Sequence, residues 1–159
     1  MANISFRNVV KTYDNGVTVV PDLNLEIEDK EFVVLVGPSG CGKSTTGRAI
    51  LRLHEPTSGE VIFNGENILT KNKDEMRLLR RQMQLIFQDP YSSLSPRLPV
   101  SEIIGEAVRE HKIVPENELD AYVTRIMKAC GLQEYQKDRY PHEFSGGQRQ
   151  RICIARAIA

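Results

Sequence analysis

The segment Gly37-Pro38-Ser39-Gly40-Cys41-Gly42-Lys43-Ser44 constrains the fold and chemistry of this chain more than any other feature. It fits the pattern G-x-x-x-x-G-K-[ST] at every fixed position. Glycines let the backbone adopt positive φ angles and turn its amides inward, which creates a cradle for phosphate oxygens. An apolar run precedes the segment and a helix-forming run follows it, as the pattern requires. The alternative is a glycine-rich turn that binds nothing, and the flanking elements disfavour it.

The end of this loop predicts how a nucleoside triphosphate and its cation would be held. The helix that begins near Lys43 directs its positive end at the same phosphates. Lys43 adds a mobile charge for the β- and γ-phosphates, and the hydroxyl of Ser44 is a ligand for Mg²⁺. The predicted nucleotide-binding residues of the loop are Gly37, Pro38, Ser39, Gly40, Cys41, Gly42, Lys43, Ser44 and Thr45.

Composition narrows the class of protein. The 159 residues predict one domain, and 40% hydrophobic with 26% charged residues predict a folded core. Lys plus Arg and Asp plus Glu both number 21, so no basic excess supports nucleic-acid binding. The longest apolar run, residues 32–36, is far shorter than the roughly 18 residues that span a bilayer. Three cysteines without metal-like spacing and no visible secretory signal predict a reducing cytosol.

Hydrophobic periodicity predicts an α/β order of elements. Residues 31–36 are continuously apolar after Glu31, which predicts an interior strand covered on both faces. The other expected strands are residues 4–10, 17–20, 23–27, 60–63 and 85–87, with turns at Asn15-Gly16 and Asn64-Gly65. The expected helices are residues 43–54, 74–82 capped by Asp74, 101–111 capped by Ser101, and one from Pro115 to a stop at Gly131.

A second glycine cluster, Ser145-Gly146-Gly147-Gln148, opens a run of good helix formers. Ser145 and Gln148 have the spacing of a capping box, which accounts for both residues. The box does not account for Gly146 and Gly147, because glycine in the first turn costs helix stability. Glycines there leave the amides of the helix end open to an anion. Two such helix ends imply either two phosphate sites or one site formed by two molecules.

Residues 144–151, Phe-Ser-Gly-Gly-Gln-Arg-Gln-Arg, resemble the signature motif of ATP-binding-cassette (ABC) ATPases and lie downstream of the phosphate-binding loop, as in that family. The resemblance covers nearly the whole chain. It implies an α/β P-loop NTPase fold with an N-terminal antiparallel β subdomain, a partial RecA-like core and a helical signature subdomain. The β subdomain and P-loop core would take up residues 1–88, and the helical subdomain residues 89–159.

The same resemblance assigns roles to residues outside the loop. Tyr13 is similar to the aromatic residue that stacks on adenine; the alternative is an ordinary strand aromatic. Gln88 is similar to the glutamine that contacts Mg²⁺ or the attacking water and faces the membrane partner; otherwise it is a polar strand end. ATP and Mg²⁺ are the implied cofactors. The residues that would contact the ATP of a second subunit are Ser145, Gly146, Gly147 and Gln148.

Residues 87–97 and 139–144 resemble the ATPase subunits of bacterial oligopeptide and dipeptide importers, whereas residues 23–43 are more similar to sugar-importer ATPases. This change of similarity along the sequence leaves open that the gene is a chimera. The implied function is to couple ATP binding and hydrolysis to peptide import across the bacterial inner membrane. The implied partners are a second ABC ATPase subunit, membrane permease subunits and, indirectly, a solute-binding protein, with no nucleic acid. The expected location is cytoplasmic and peripheral, on the inner face of the cell membrane.

In the resembled family a strand ending in Asp-Glu (Walker B) and a switch histidine follow the signature helix, and this sequence ends at Ala159 before either. The expectation is a fragment of a longer ATPase with little turnover of its own. Two other functions stay open, a small P-loop metabolite kinase and a non-transport relative of the same ATPases. The kinase leaves Gly146 and Gly147 unexplained, and the importer-like loop after Gln88 disfavours the second alternative.

Overall fold

Residues 2–159, the part of the chain that this computed structural model describes, contain a four-stranded antiparallel sheet and five α-helices. The chain divides into two compact units. The first runs to Met83 and holds the sheet, and the second runs from Gln84 to Ala159 and is helical. Each unit has its own set of buried apolar side chains.

The strands of the first unit are β1 (Ile4–Thr12), β2 (Thr18–Ile27), β3 (Ser58–Phe63) and β4 (Glu66–Asn67). Their order is β2-β1-β3-β4, so the central strand β1 pairs with both β2 and β3. Phe6 of β1 lies opposite Val61 of β3, and both side chains are buried. Asn64 and Gly65 have φ angles of 52° and 84°, which is what a two-residue hairpin needs, and they confirm the predicted turn.

Two glycines near β3 give a matched pair for testing this unit. Gly59 has a φ of +93°, and a Cβ there would lie 2.4 Å from the carbonyl oxygen of Asn8; at Gly65, with a φ of +84°, it would meet no described atom within 4 Å. Both substitutions to alanine carry the cost of positive φ, but only Gly59→Ala adds a backbone clash. We expect Gly59→Ala to lower the free energy of unfolding by about 1–3 kcal/mol more than Gly65→Ala. Urea denaturation measures this difference, and equal losses would contradict the described strand pairing.

Two predicted strands are wrong in this structure. Residues 31–36 lie outside any strand and are mostly exposed, with Phe32 90% and Val36 85% accessible to solvent. Residues 85–87 also form no strand. A buried parallel strand needs neighbours that take up its amides and carbonyls. Within residues 2–159 neither segment pairs with another strand. Apolar composition identified strand-like sequence, but not the partners on which a strand depends.

Helix α1 (Lys43–Ile50) begins where the sequence predicts and ends before the expected His54. The chain leaves the helix at Arg52, which has a φ of 52°. The guanidinium of Arg52 donates to the carbonyl oxygen of Ile68 at 3.4 Å. The left-handed backbone of Arg52 and its side-chain hydrogen bond to a distant carbonyl both accompany the early end of the helix. Hydrophobic periodicity predicts neither of these features.

The predicted caps of the next two helices are also wrong. Helix α2 (Lys73–Leu79) is capped by Asn72, whose side chain accepts the amide of Asp74 at 3.0 Å. Helix α3 (Val100–Glu110) begins before Ser101, whose amide donates to a backbone carbonyl elsewhere in the second unit at 2.9 Å. A backbone carbonyl that is distant in sequence therefore accepts a first-turn amide of α3 in place of a side-chain cap.

Helices α3, α4 (Leu119–Ala129) and α5 (Gly146–Ile158) pack against one another in the second unit. Gly131 follows α4 with a φ of 75°, which confirms its predicted place at the end of that helix. The helical spacing of apolar residues forms one core. Its most deeply buried members are Val100, Ile104, Val108, Met127, Ile152 and Ala155.

Candidate nucleotide-binding site

The side chain of Lys43 folds back over the glycine-rich loop. Its ammonium donates to the carbonyl oxygens of Gly37 and Pro38, both at 2.7 Å, and lies 3.4 Å from the Sγ atom of Cys41. The two carbonyl oxygens are uncharged acceptors, and they hold the cation above the loop backbone. Anionic phosphate oxygens are stronger acceptors, so phosphate binding would exchange some of these contacts for charge-assisted ones.

Gly42 fixes the junction between the loop and α1. It is left-handed, with a φ of 92°, and a Cβ there would lie 2.5 Å from the carbonyl oxygen of Val19, so the fold requires glycine. Its own carbonyl accepts the amide of Thr46 at 2.8 Å and the Thr46 hydroxyl at 3.0 Å. The amides of a first helical turn have no acceptor within the helix. The start of α1 therefore presents amides and a positive dipole end to an anion.

The first turn of α1 carries two predicted site residues with different surroundings. Ser44 is exposed, and its hydroxyl is the kind of hard oxygen ligand that Mg²⁺ takes. Thr45 is partly buried, and its Oγ1 atom lies 3.4 Å from the hydroxyl oxygen of Tyr13, with either group able to donate. The structure thus brings Tyr13 to the helix that follows the phosphate-binding loop.

Two neighbours of Tyr13, Lys11 and His54, are not among the residues predicted from the sequence. The ammonium of Lys11 lies over the Tyr13 ring, 5.2 Å from its centroid. The His54 ring stands nearly perpendicular to it, at 84°, with the centroids 6.2 Å apart. The period of two along an extended chain places Lys11 and Tyr13 on one face, which was a usable signal. His54 lies far away in sequence and had no such signal.

Gln88 is exposed and belongs to the second unit, whereas Tyr13 and the loop belong to the first. The residue after it, Asp89, accepts the amide of Tyr91 at 2.9 Å. Hydrogen bonding by Ser92 and by the Tyr91 amide lowers the pKa of the Asp89 carboxyl. The carboxylate form is therefore favoured, and its stabilising effect on this loop is present above the usual pKa and lost as the pH falls through the lowered one.

The N-terminus of α5 has the predicted capping box. The Ser145 hydroxyl accepts the amide of Gln148 at 3.3 Å, and the Gln148 side chain accepts the amide of Ser145 at 3.0 Å. A Cβ built at Gly146 or Gly147 would meet no described atom within 4 Å. Gly146 and Gly147 both lie outside the region of positive φ. Neither packing nor backbone conformation therefore requires glycine at these two positions.

The profile of the ABC transporter family matches residues 20–159. The oligopeptide transport ATP-binding protein OppF of Bacillus subtilis (strain 168) is 52% identical over 145 residues, which are 90% of this chain and 48% of that protein. The glutathione import ATP-binding protein GsiA of Escherichia coli (strain K12) is 50% identical over 143 residues, 90% of this chain and 23% of that protein. The chain thus spans about half, or less, of the length of these curated relatives.

Solved structures agree with the sequence comparison. The dimeric structure of a post-hydrolysis state of the ATP-binding cassette MJ0796, bound to ADP and Pi, has a TM-score of 0.89 and 33% identity; the match covers 98% of this chain and 69% of that one. The structure of cbiO1 from Clostridium perfringens, part of the ABC transporter complex cbiONQ, has a TM-score of 0.82 and 26% identity, covering 98% and 60%. These matches confirm the predicted fold class. On the family match, the relatives and the fold together, the chain belongs to the ABC transporter family.

Proposed function

We propose that this chain is the ATP-binding part of an importer ATPase that couples ATP binding and hydrolysis to the uptake of peptides. The observation that carries the proposal is the pair Gly146 and Gly147. The fold has open space at both positions, so their absence of side chains is explained by a ligand that approaches the α5 amides. The names of OppF and GsiA, an oligopeptide and a glutathione import protein, support peptides as the solute class.

The loop and α1 would hold the triphosphate. Amides of residues 37–44 and the ammonium of Lys43 would bind the β- and γ-phosphates, and Tyr13 would stack on the base. The hydroxyl of Ser44 would be one ligand of Mg²⁺, which neutralises phosphate charge as a Lewis acid when bound. Contact of Gln88 with Mg²⁺ or the attacking water stays a prediction.

The second glycine cluster would act on the nucleotide of another subunit. Two subunits would close head to tail around two ATP molecules, each between the Lys43 loop of one and the α5 end of its partner. Two positive helix ends directed at one triphosphate stabilise the closed pair only while the anion is present. ATP binding would therefore favour closure, and loss of the γ-phosphate would favour reopening.

Closure and reopening would drive membrane permease subunits that receive peptides from a solute-binding protein. Among residues 2–159, none of the helices has the length and apolar character that spanning a bilayer requires. We assign attachment to the inner face of the membrane to contact with the permease. The exposed Gln88 and the loop after it are the surface that we assign to this contact.

Peptide uptake and nucleotide-dependent recovery of the permease test the proposal. Cells that lack the gene should lose uptake of labelled dipeptides and oligopeptides and keep uptake of maltose. The tagged protein should recover polytopic permease subunits with ATP and fewer without it. Loss of maltose uptake alone would contradict peptide import, and recovery of ribosomal or DNA-repair proteins without a permease would favour the non-transport relatives.

A further inference from the structure

Lys11 is held in place by a hydrogen bond to a backbone carbonyl of the first unit. Its ammonium donates to the carbonyl oxygen of Glu55 at 2.8 Å. The same nitrogen lies 5.2 Å from the centroid of the Tyr13 ring, which is within the range of a cation–π interaction. A charge that is anchored on one side by a carbonyl is thus held over one face of an aromatic ring.

The Tyr13 ring is also held at other points. The backbone of Tyr13 is part of a closed turn, because the Tyr13 amide donates to the carbonyl oxygen of Val17 at 3.0 Å and the Tyr13 carbonyl accepts the amide of Gly16 at 2.8 Å. Its hydroxyl lies 3.4 Å from Thr45 of α1, and His54 stands perpendicular to the ring. The ring therefore has a defined orientation relative to the helix that begins the phosphate-binding site.

We propose that Lys11 is a positioning residue for the nucleotide base, an inference that rests on the proposed ATP binding. Its ammonium occupies one face of the Tyr13 ring, so the base stacks on the opposite face. A base on the Lys11 face would have to displace a cation that the Glu55 carbonyl holds. Stacking uses the π face that every base has, so this device orients a base without contacting its hydrogen-bonding edge.

Calorimetric titration of the protein that carries this sequence, with ATP and separately with inorganic tripolyphosphate, tests the assignment. Lys11→Met keeps the aliphatic chain and removes the charge, and we expect it to weaken ATP binding about three- to thirtyfold. Tripolyphosphate has no base, so its affinity should change by less than about twofold if Lys11 acts through Tyr13. Lys11→Arg should restore ATP binding, because a guanidinium also binds aromatic faces and carbonyls.

A double-mutant cycle with Tyr13→Leu gives the sharper outcome. In the Tyr13→Leu background, Lys11→Met should cause no further loss of ATP affinity. An equal loss in both backgrounds, or an equal loss for ATP and tripolyphosphate, would overturn the positioning role and make Lys11 a general electrostatic contact. Lys11→Gln takes the place of Lys11→Met in both experiments if thermal unfolding shows that the methionine variant does not fold. A wild-type protein that binds neither ligand would instead refute the proposed function itself.

Discussion

Replacement of Lys43 by alanine is expected to weaken ATP binding by about ten- to hundredfold. Hydrogen bonds to charged groups contribute about 1.5–3 kcal/mol, and each 1.4 kcal/mol is a factor of ten in affinity. The Lys43 ammonium now donates to Gly37 and Pro38 at 2.7 Å, within a loop that is almost wholly exposed. Loss of the Lys43 ammonium should therefore change the free energy of ATP binding much more than the free energy of unfolding.

The control for this experiment is Lys73→Ala, which removes an equal charge from an exposed position at the start of α2. Calorimetry with ATP should give nearly the wild-type affinity for this variant. A Lys43→Ala protein with unchanged affinity, or one weakened only as much as Lys73→Ala, would show that the loop does not hold the triphosphate as proposed.

Features whose chemistry is local could be predicted from sequence. The turn at Asn64-Gly65 and the capping box of Ser145 with Gln148 depend on residues at most three positions apart, and the structure has both. A short-range hydrogen bond needs only the correct residue type at the correct spacing. Gly42, where α1 begins, combines a local cause, its φ of 92°, with a distant one, the close approach of the Val19 carbonyl oxygen.

Most of the failed predictions depend on partners that lie far away in sequence; the cap of α2, which is Asn72 and not Asp74, is a local exception. Residues 31–36 have the composition of a buried strand, but strand pairing is a property of two segments, and composition reports one. Ser101 was a plausible cap by type, yet the first turn of α3 finds backbone acceptors in a segment that follows α4. His54 is likewise brought to Tyr13 only by the fold.

The second large effect is expected from Gly146→Leu. Leucine is a better helix former than glycine by roughly 0.8 kcal/mol, and a Cβ at this position meets no described atom within 4 Å. The variant should therefore be as stable as the wild type or slightly more stable, and each isolated subunit should bind ATP normally. A leucine side chain over the amides of α5 should nevertheless exclude the triphosphate of the partner, so that ATP-driven pairing weakens at least about tenfold.

Sedimentation velocity with a non-hydrolysable ATP analogue measures this pairing. Ala121→Leu is the matched control, since Ala121 is an exposed helical residue of α4 and the change adds a larger apolar side chain elsewhere in the same unit. Ala121→Leu should pair as the wild type does. Wild-type pairing by Gly146→Leu, with the fold intact, would remove the reason that we give for the two glycines.

Labelling across the subunit boundary tests the central claim most directly. A ¹⁵N-labelled Lys43→Ala protein is mixed with the unlabelled wild type and a photoreactive ATP that carries its azide on the γ-phosphate. Trypsin releases residues 140–149, which contain the second glycine cluster, as one peptide. We expect the photolabel on this peptide of the ¹⁵N copy when the wild type is present, and its loss when the ¹⁵N copy also carries Gly146→Leu. Labelling confined to peptides of the wild-type copy would contradict a triphosphate held between the loop of one molecule and the helix end of another.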